Sequence, residues 1–379
     1  MKKLLFALLA PALAATVHAE FRGAWVASVY NINFPSSSSL SAEAQKAQAI
    51  RILDAAQSAR LNAVLLQVRP ESDALYPSQI EPWSRCLTGT QGRSPGYDPL
   101  AFFIAEARRR GIAVHAWLNP YRAAATASQP RTSNHISKKF PQFAYRVGNV
   151  LWMDPGAPEV RRQIVAVVRD LLSRYDLAGI HLDDYFYPYP TDSGRVFAFP
   201  DEKTYAAYRG VGGTLDKAGW RRNNVHQLIR AISETVRSTK PGALFGVSPF
   251  GIYTKGCPPG VKAGVDQYNE LYSDPLKWMG EGWVDYLAPQ LYWAEGGPQS
   301  FSALLRWWRS PQANPRGIPV WPGLAADRLS SHGWPASEIA TQLALEKSIA
   351  PRAHGGFLLW NIGPLTKNTK NILAVVRSH

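Results

Sequence analysis

A single (β/α)8 TIM barrel, an α/β architecture with long loops on one face, is the fold this sequence predicts. Three observations predict it. Short apolar segments alternate with amphipathic ones from end to end, the pattern of a parallel sheet crossed by helices. The alternation yields eight strand candidates, the number a closed barrel needs. The connections are long after the strands and short before them, so one face builds a site while the other only connects. An open doubly wound sheet is the alternative, weakened because no Gly-rich dinucleotide fingerprint follows the first strand.

The strand candidates are Arg22–Ser28, Asn62–Arg69, Ile112–Asn119, Ala178–Asp184, Leu244–Phe250, Val284–Tyr292, Ile318–Leu324 and Gly355–Asn361. Helical spacing of apolar residues marks Ala42–Arg60, Leu100–Arg110, Ala157–Tyr175, Val225–Thr239 and Ser337–Ala350. Ser41, Asp98 before Pro99, and Ser337 read as caps. Leu365–Ser378 reads as the closing helix. The long segments after strands two to five are rich in Pro, Gly and aromatics, whereas Arg60–Leu61 and Arg110–Gly111 are tight connections.

Residues 1–19 read as a cleavable secretory signal: Lys2 and Lys3 precede the apolar run Leu4–Ala15, and Val17-His18-Ala19 offers a cleavage site. That run is too short to span a membrane, and no Cys follows the cut to carry a lipid. The expectation is therefore a periplasmic or secreted protein with no transmembrane segment, its barrel occupying residues 20–379. The 46% hydrophobic content and 13 Trp fit a compact enzyme. The net charge of +14 fits an anionic partner, and export makes nucleic acid the poorest choice among these. Cys86 and Cys257 could form one disulfide or remain two thiols.

Alternation along the strands sorts their faces. Val64, Leu66 and Val68 face outward, opposite Gln67 and Arg69; Ile112, Val114, Ala116 and Leu118 face outward and leave His115, Trp117 and Asn119 inside. Gln290 and Tyr292 end the sixth strand, Ser248 the fifth, and Trp360 with Asn361 the eighth. Barrel interiors are ordinarily filled with branched apolar residues, so polar and aromatic side chains at these ends converge on a cleft or support one another there.

The fourth strand carries the chemistry. In GIHLDDYFYP, Ile180 and Leu182 alternate with His181 and Asp183, and Asp184 and Tyr185 follow where the chain leaves the sheet. Glycosidic cleavage needs a carboxyl group to protonate the leaving oxygen, and a base, a nucleophile or the substrate's own acetamido group on the other face. Adjacent like charges raise one pKa, which suits an acid. Asp183 and Asp184 are the catalytic candidates; which is the acid stays open, with Asp184 nearer the rim. The competing explanation pairs Asp183 with Arg69 or His181 and uses Asp184 to cap a loop. Glu71 and Asp73 after the second strand are secondary candidates, and Asp154 reads more simply as a helix N-cap. Trp117, Tyr185, Tyr187, Tyr292, Trp293, Trp321 and Trp360 can stack on sugar rings or seal the core. His115 and His181 with Asp183 lack a known ligand spacing, so neither metal nor cofactor is expected.

FRGAWVAS, LLQVRPESDALYPSQIEPWS, VHAWLNPYR, LWMDPG, GIHLDDYFYP, VSPFGIY, APQLYW and GFLLWNIG together resemble the glycosyl hydrolase-like 10 family, over essentially the whole chain after residue 19 and in order. The resemblance implies a barrel, export to the bacterial envelope and cleavage of cell-wall glycan, the family including an enzyme that acts on denuded peptidoglycan strands at the division site. It leaves division partners unidentified. It also implies roles for Asp183, Asp184 and Tyr185, for Trp117 to Arg122, and for Gln290 to Trp293. Peptidoglycan strands carry a lactyl carboxylate on every second sugar, and Arg69 and Arg122 are the expected anion contacts. A non-catalytic glycan-binding barrel and a hydrolase of another N-acetylhexosamine polymer are the alternatives.

Overall fold

The computed structural model describes residues 20–190, 197–349 and 355–379; the predicted signal segment lies outside these. Eight parallel strands form one sheet, in the spatial order β10 (Gly323–Leu324), β11 (Gly356–Leu359), β1 (Phe21–Val26), β2 (Ala63–Arg69), β3 (Ala113–Leu118), β7 (Gly179–Leu182), β8 (Leu244–Val247), β9 (Tyr286–Leu287). Parallel bridges from Leu287 to Val320 and from Gln290 to Gly323 join the two edges and close the barrel. All eight strands fall inside their expected segments or within one residue of them. The sixth and seventh are much shorter than expected, because Pro289, Pro319 and Pro322 have no N–H to give the ladder.

Helices cover the barrel for the reasons their sequences carry. In Ala42–Ser58, Gln45, Ala49, Ile52, Leu53 and Ala56 are buried at helical spacing, and the Ser41 hydroxyl accepts from the Ala44 N–H. Asp98 caps Pro99–Arg109 in the same way, with Pro in the first turn. The helix Lys217–Thr239 begins two turns before the expected Val225, capped by Asp216. Ser337 is not a cap, because that helix starts at Ala336. The closing helix is broken: Gly363–Thr366 and Ile372–Ser378 are separated by Asn368, Lys370 and Asn371 at positive φ.

The loop after β3 holds a small antiparallel sheet that alternation did not reveal, made of β4 (Arg122–Ala124), β5 (Ala144–Val147) and β6 (Val150–Met153) in the order β4-β6-β5. Two packed layers result. Val64, Leu66, Val68, Val114, Ala116, Leu118, Ile180 and Leu182 pack outward under the helices. Trp25, Leu65, Trp117, Tyr286, Trp321 and Leu358 fill the barrel itself. The axis is thus aromatic rather than branched aliphatic, and Trp321 stacks on Phe21 at 3.9 Å to plug it.

Candidate active site

The floor of the barrel mouth is a hydrogen-bonded aromatic column. Trp25 Nε1 donates to His181 Nε2 at 3.2 Å. An indole only donates, so that nitrogen is an acceptor and the His181 proton sits on Nδ1, 3.0 Å from the Tyr286 hydroxyl. Tyr286 in turn lies 3.2 Å from His115 Nδ1. Burial pushes both imidazoles below their ordinary pKa, so they are neutral. His115 and His181 were expected in contact with substrate; both lie beneath the mouth, fully enclosed, and support it instead.

Above that floor stand the two carboxylates, at the end of β7. Asp183 Oδ2 accepts from Trp117 Nε1 at 3.0 Å and from Asn119 Nδ2 at 3.2 Å; Oδ1 receives only a long 3.4 Å contact from the Tyr185 N–H. Burial raises its pKa to about 6, against the pull of Arg122 and these donors. Asp184 is pushed to about 7, by burial first and by the neighbouring Asp183 charge, with the Tyr189 hydroxyl and Gln290 amide opposing. Tyr189 donates to Asp184 Oδ2, while Oδ1 is buried without a hydrogen-bond partner. Burial raises both carboxyls, and the Asp183 charge raises Asp184 further, so the pair can retain a proton near neutrality, as acid catalysis needs.

Arg122 reaches the same place. Its backbone N–H is fixed by Asn119 Oδ1 at 2.9 Å, its Nε donates to Pro70 O, and its guanidinium lies 5.1 Å from the Tyr185 ring centroid. Among the described residues its two terminal nitrogens take no partner, so they are available to an anion. Ser248 Oγ lies 3.1 Å from His181 Nε2, and Gln290 Nε2 donates to Ser248 O at 3.0 Å. Trp360 closes the opposite side, 6.0 Å from Trp117 and 6.3 Å from a roughly parallel Tyr292. Trp293 sits at the edge, its ring against Phe250.

Other expected contacts are committed elsewhere. Arg69 is fully buried; it forms a fork with both oxygens of Glu81 at 2.6 and 2.8 Å and donates to Asn119 O and Pro120 O, so it holds no substrate anion. Glu71 is gripped by Arg85 at 2.6 and 2.9 Å and accepts from the Ala125 N–H. Asp73 is enclosed beside it, with a pKa raised to about 7 by burial and the Glu71 charge. These acids stitch the loop after β2 to the loop after β3. Asn361 Oδ1 is occupied by Asn33 Nδ2 and the Gly363 N–H, beside a cavity of about 490 Å3 on the flank of the mouth. Tyr187 packs into the core between Phe199 and Tyr272. Asp154 caps no helix; it binds the Gly156 N–H and Thr204. Cys86 and Cys257 are free thiols.

One residue at the site, Tyr189, escaped the sequence reading. Tyr189 lies six residues past Asp183, the last alternating position, where no period predicts orientation. Gln67 does sit inside as alternation required; its Oε1 accepts from the Ser28 and Val29 N–H groups and its Nε2 is buried without a partner.

The chain is 38% identical over 364 residues to the glycosyl hydrolase YngK of Bacillus subtilis (strain 168), covering 93% of this chain and 70% of that protein. It is 38% identical over 320 residues to the glycosyl hydrolase DigH of Escherichia coli (strain K12), covering 79% of this chain and 71% of that one. Solved structures share the fold at low identity. The catalytic domain of beta-amylase from Paenibacillus polymyxa has a TM-score of 0.61 at 11% identity, covering 95% of this chain and 97% of that one. The PgaB (BpsB) glycoside hydrolase domain from Bordetella bronchiseptica has 0.56 at 14%, covering 94% and 98%. The glycosyl hydrolase-like 10 model matches residues 20–335. With that match and these relatives, the chain belongs to the glycosyl hydrolase-like 10 family.

Proposed function

We propose that this glycoside hydrolase is exported and cleaves N-acetylated bacterial cell-wall glycan, namely peptidoglycan strands freed of stem peptides, with Asp184 as general acid. The observation that carries this reading is the buried Asp183–Asp184 pair at the end of β7, Asp183 held by Trp117 and Asn119 and Asp184 by Tyr189, beside the aromatic side chains Trp117 and Trp360. Export rests on residues 1–19, and no helix among the described residues is long and apolar enough to cross a membrane. The glycan assignment rests on the anion that Arg122 is free to hold and on the net positive charge, +14 for the whole chain including Lys2 and Lys3 of the signal segment, which would attract a polyanion.

Mass spectrometry of products from purified glycan strands, with and without stem peptides, tests the reading. Saturated oligosaccharides with free reducing ends are expected from denuded strands and far fewer from peptide-bearing ones, since a stem peptide amidates the lactyl carboxylate. Products from neutral chitin oligomers alone would overturn the peptidoglycan assignment. Arg122→Ala should weaken binding of denuded strands and flatten its dependence on salt, while leaving chitin binding nearly unchanged. Equal losses for both ligands would show that Arg122 does not read a carboxylate.

The pH profile follows from the two proton affinities. Turnover needs Asp184 protonated, so it should fall as pH rises past about 7, and Asp183 ionised, so it should fall below about 6. A narrow bell centred between those limits is expected in kcat/KM. A plateau extending above pH 9 would exclude Asp184 as the acid.

A further inference from the structure

We infer that the nucleophile is the 2-acetamido oxygen of the sugar bound in the mouth, with Asp183 holding its N–H and Asp184 serving as acid and then base. The inference rests on the glycosidase reading of this site and narrows it to substrates that carry an N-acetyl group next to the bond cleaved.

Three observations carry it. The two carboxylates are consecutive residues, with Cα atoms about 3.8 Å apart, and so both belong to one wall. Enzymes that work with two protein carboxylates place them on either side of the sugar. Strand order puts β11 diametrically across the barrel from β7, and the residue that follows β11 there is Trp360, packed on Trp25, Trp117 and Tyr292. The wall facing the acid pair is therefore aromatic.

The remaining acids around this end are spoken for or turned away. Glu71 is held by Arg85, Asp73 is enclosed, and Asp154 is held by Thr204. Asp327, three residues past β10, is the exception: its N–H donates to the Trp360 carbonyl at 2.9 Å and its Oδ1 is buried without a partner, but the carboxylate lines the flanking cavity with Asn33 and Asn361, and so it is the acid that an Asp327→Asn variant must exclude. Asp183, by contrast, is built to hold a donor in place. Trp117 and Asn119 fix its Oδ2, Arg122 favours its charge, and Oδ1 keeps its acceptor capacity behind one 3.4 Å contact. An amide N–H at Oδ1 would complete that carboxylate's hydrogen bonding and orient the amide oxygen toward the anomeric carbon.

The step balances without another reactant. The acetamido oxygen forms a bond to the anomeric carbon as the glycosidic bond breaks. The bonding pair leaves with the glycosidic oxygen, which takes the proton of Asp184. The resulting oxazolinium carries positive charge on nitrogen, against the Asp183 carboxylate. Water then adds to the anomeric carbon as Asp184 removes its proton, and the ring opens to restore the acetamide with retained configuration.

The test uses the full chain on N-acetylated glycan oligomers. N-acetylglucosamine-thiazoline, a stable mimic of the oxazolinium, should inhibit competitively. The first-formed product should keep the anomeric configuration in a proton NMR time course. Asp183→Asn should lower kcat by roughly 10²–10³-fold, with a smaller change in KM, and should abolish thiazoline inhibition. Asp327→Asn should retain wild-type turnover. Inverted product, a trapped glycosyl-enzyme, or an Asp327→Asn loss matching that of Asp184→Asn would overturn the inference while leaving the glycosidase reading intact. A wild-type chain that cleaves no glycan would overturn both.

Discussion

Asp184→Asn is expected to cut glycan turnover by roughly 10²–10⁴-fold, the usual contribution of a positioned general acid, and at the same time to raise thermal stability at neutral pH. The two effects share one cause. Asp184 ionises near its ordinary 3.8 in the unfolded chain but only near about 7 when buried in the folded one. Its folded-state pKa is raised and the group is an acid, so the folded state is favoured by protonation. That stability is fully present below about 3.8, declines as pH rises through the interval, and is gone above about 7. At 1.36 kcal/mol per unit, the ceiling on this cost is on the order of 4 kcal/mol at alkaline pH. Asn removes the ionisation and with it the cost. Thermal unfolding of both proteins at pH 8 and pH 4 measures this: the variant should be the more stable at pH 8, and the gap should close at pH 4. A variant less stable than wild type at pH 8 would mean that the Asp184 charge is solvated or paired in solution, and that its buried, half-protonated state is not what this site uses.

The same pair shows what was legible in the sequence. Alternation of Ile180 and Leu182 with His181 and Asp183 located the strand, its two faces and its functional end, because period two is a property of the backbone and needs no tertiary information. Trp117 and Asn119 could be assigned to the same mouth by the same rule, and the structure brings both onto Asp183. The rule fails where the backbone leaves the ladder. Tyr189 lies past the strand, and its contact with Asp184 depends on how Tyr185-Phe186-Tyr187-Pro188 turns. Alternation also cannot tell depth along the barrel axis. His115 and His181 were rightly turned inward, yet they stand a layer below the rim and meet Tyr286 instead of solvent. The sheet of β4, β5 and β6 was invisible for a related reason: its pairs span a long irregular loop whose apolar residues follow no single period.

Arg69→Ala is expected to cost about 3–5 kcal/mol of stability, the range for leaving one member of a buried ion pair alone. Alternation put Arg69 on the face of Gln67, at a strand end, where a guanidinium reads as an anion contact. The register between β2 and β3 slips between Gln67 and Arg69, and such a bulge redirects the side chain that follows it. Arg69 turns beneath the loops, to Glu81 twelve positions on, a partner in an irregular segment that no spacing rule connects to it. Both side chains are fully buried, and Gln163 Nε2 donates directly to Glu81 Oε1 at 3.0 Å. Alanine would strip Glu81 of its two guanidinium donors and free the carbonyls of Asn119 and Pro120, just where the chain passes from Asn119 to Arg122. The lost charge is not the whole penalty, so shape should rescue what charge does not: Arg69→Met with Glu81→Leu removes both ions and should recover most of the stability. Chemical denaturation of the single and double variants separates the two, and glycan affinity per folded molecule should match wild type in each. A stable Arg69→Ala protein with weakened glycan binding would return Arg69 to the mouth and make Glu81 its dispensable neighbour.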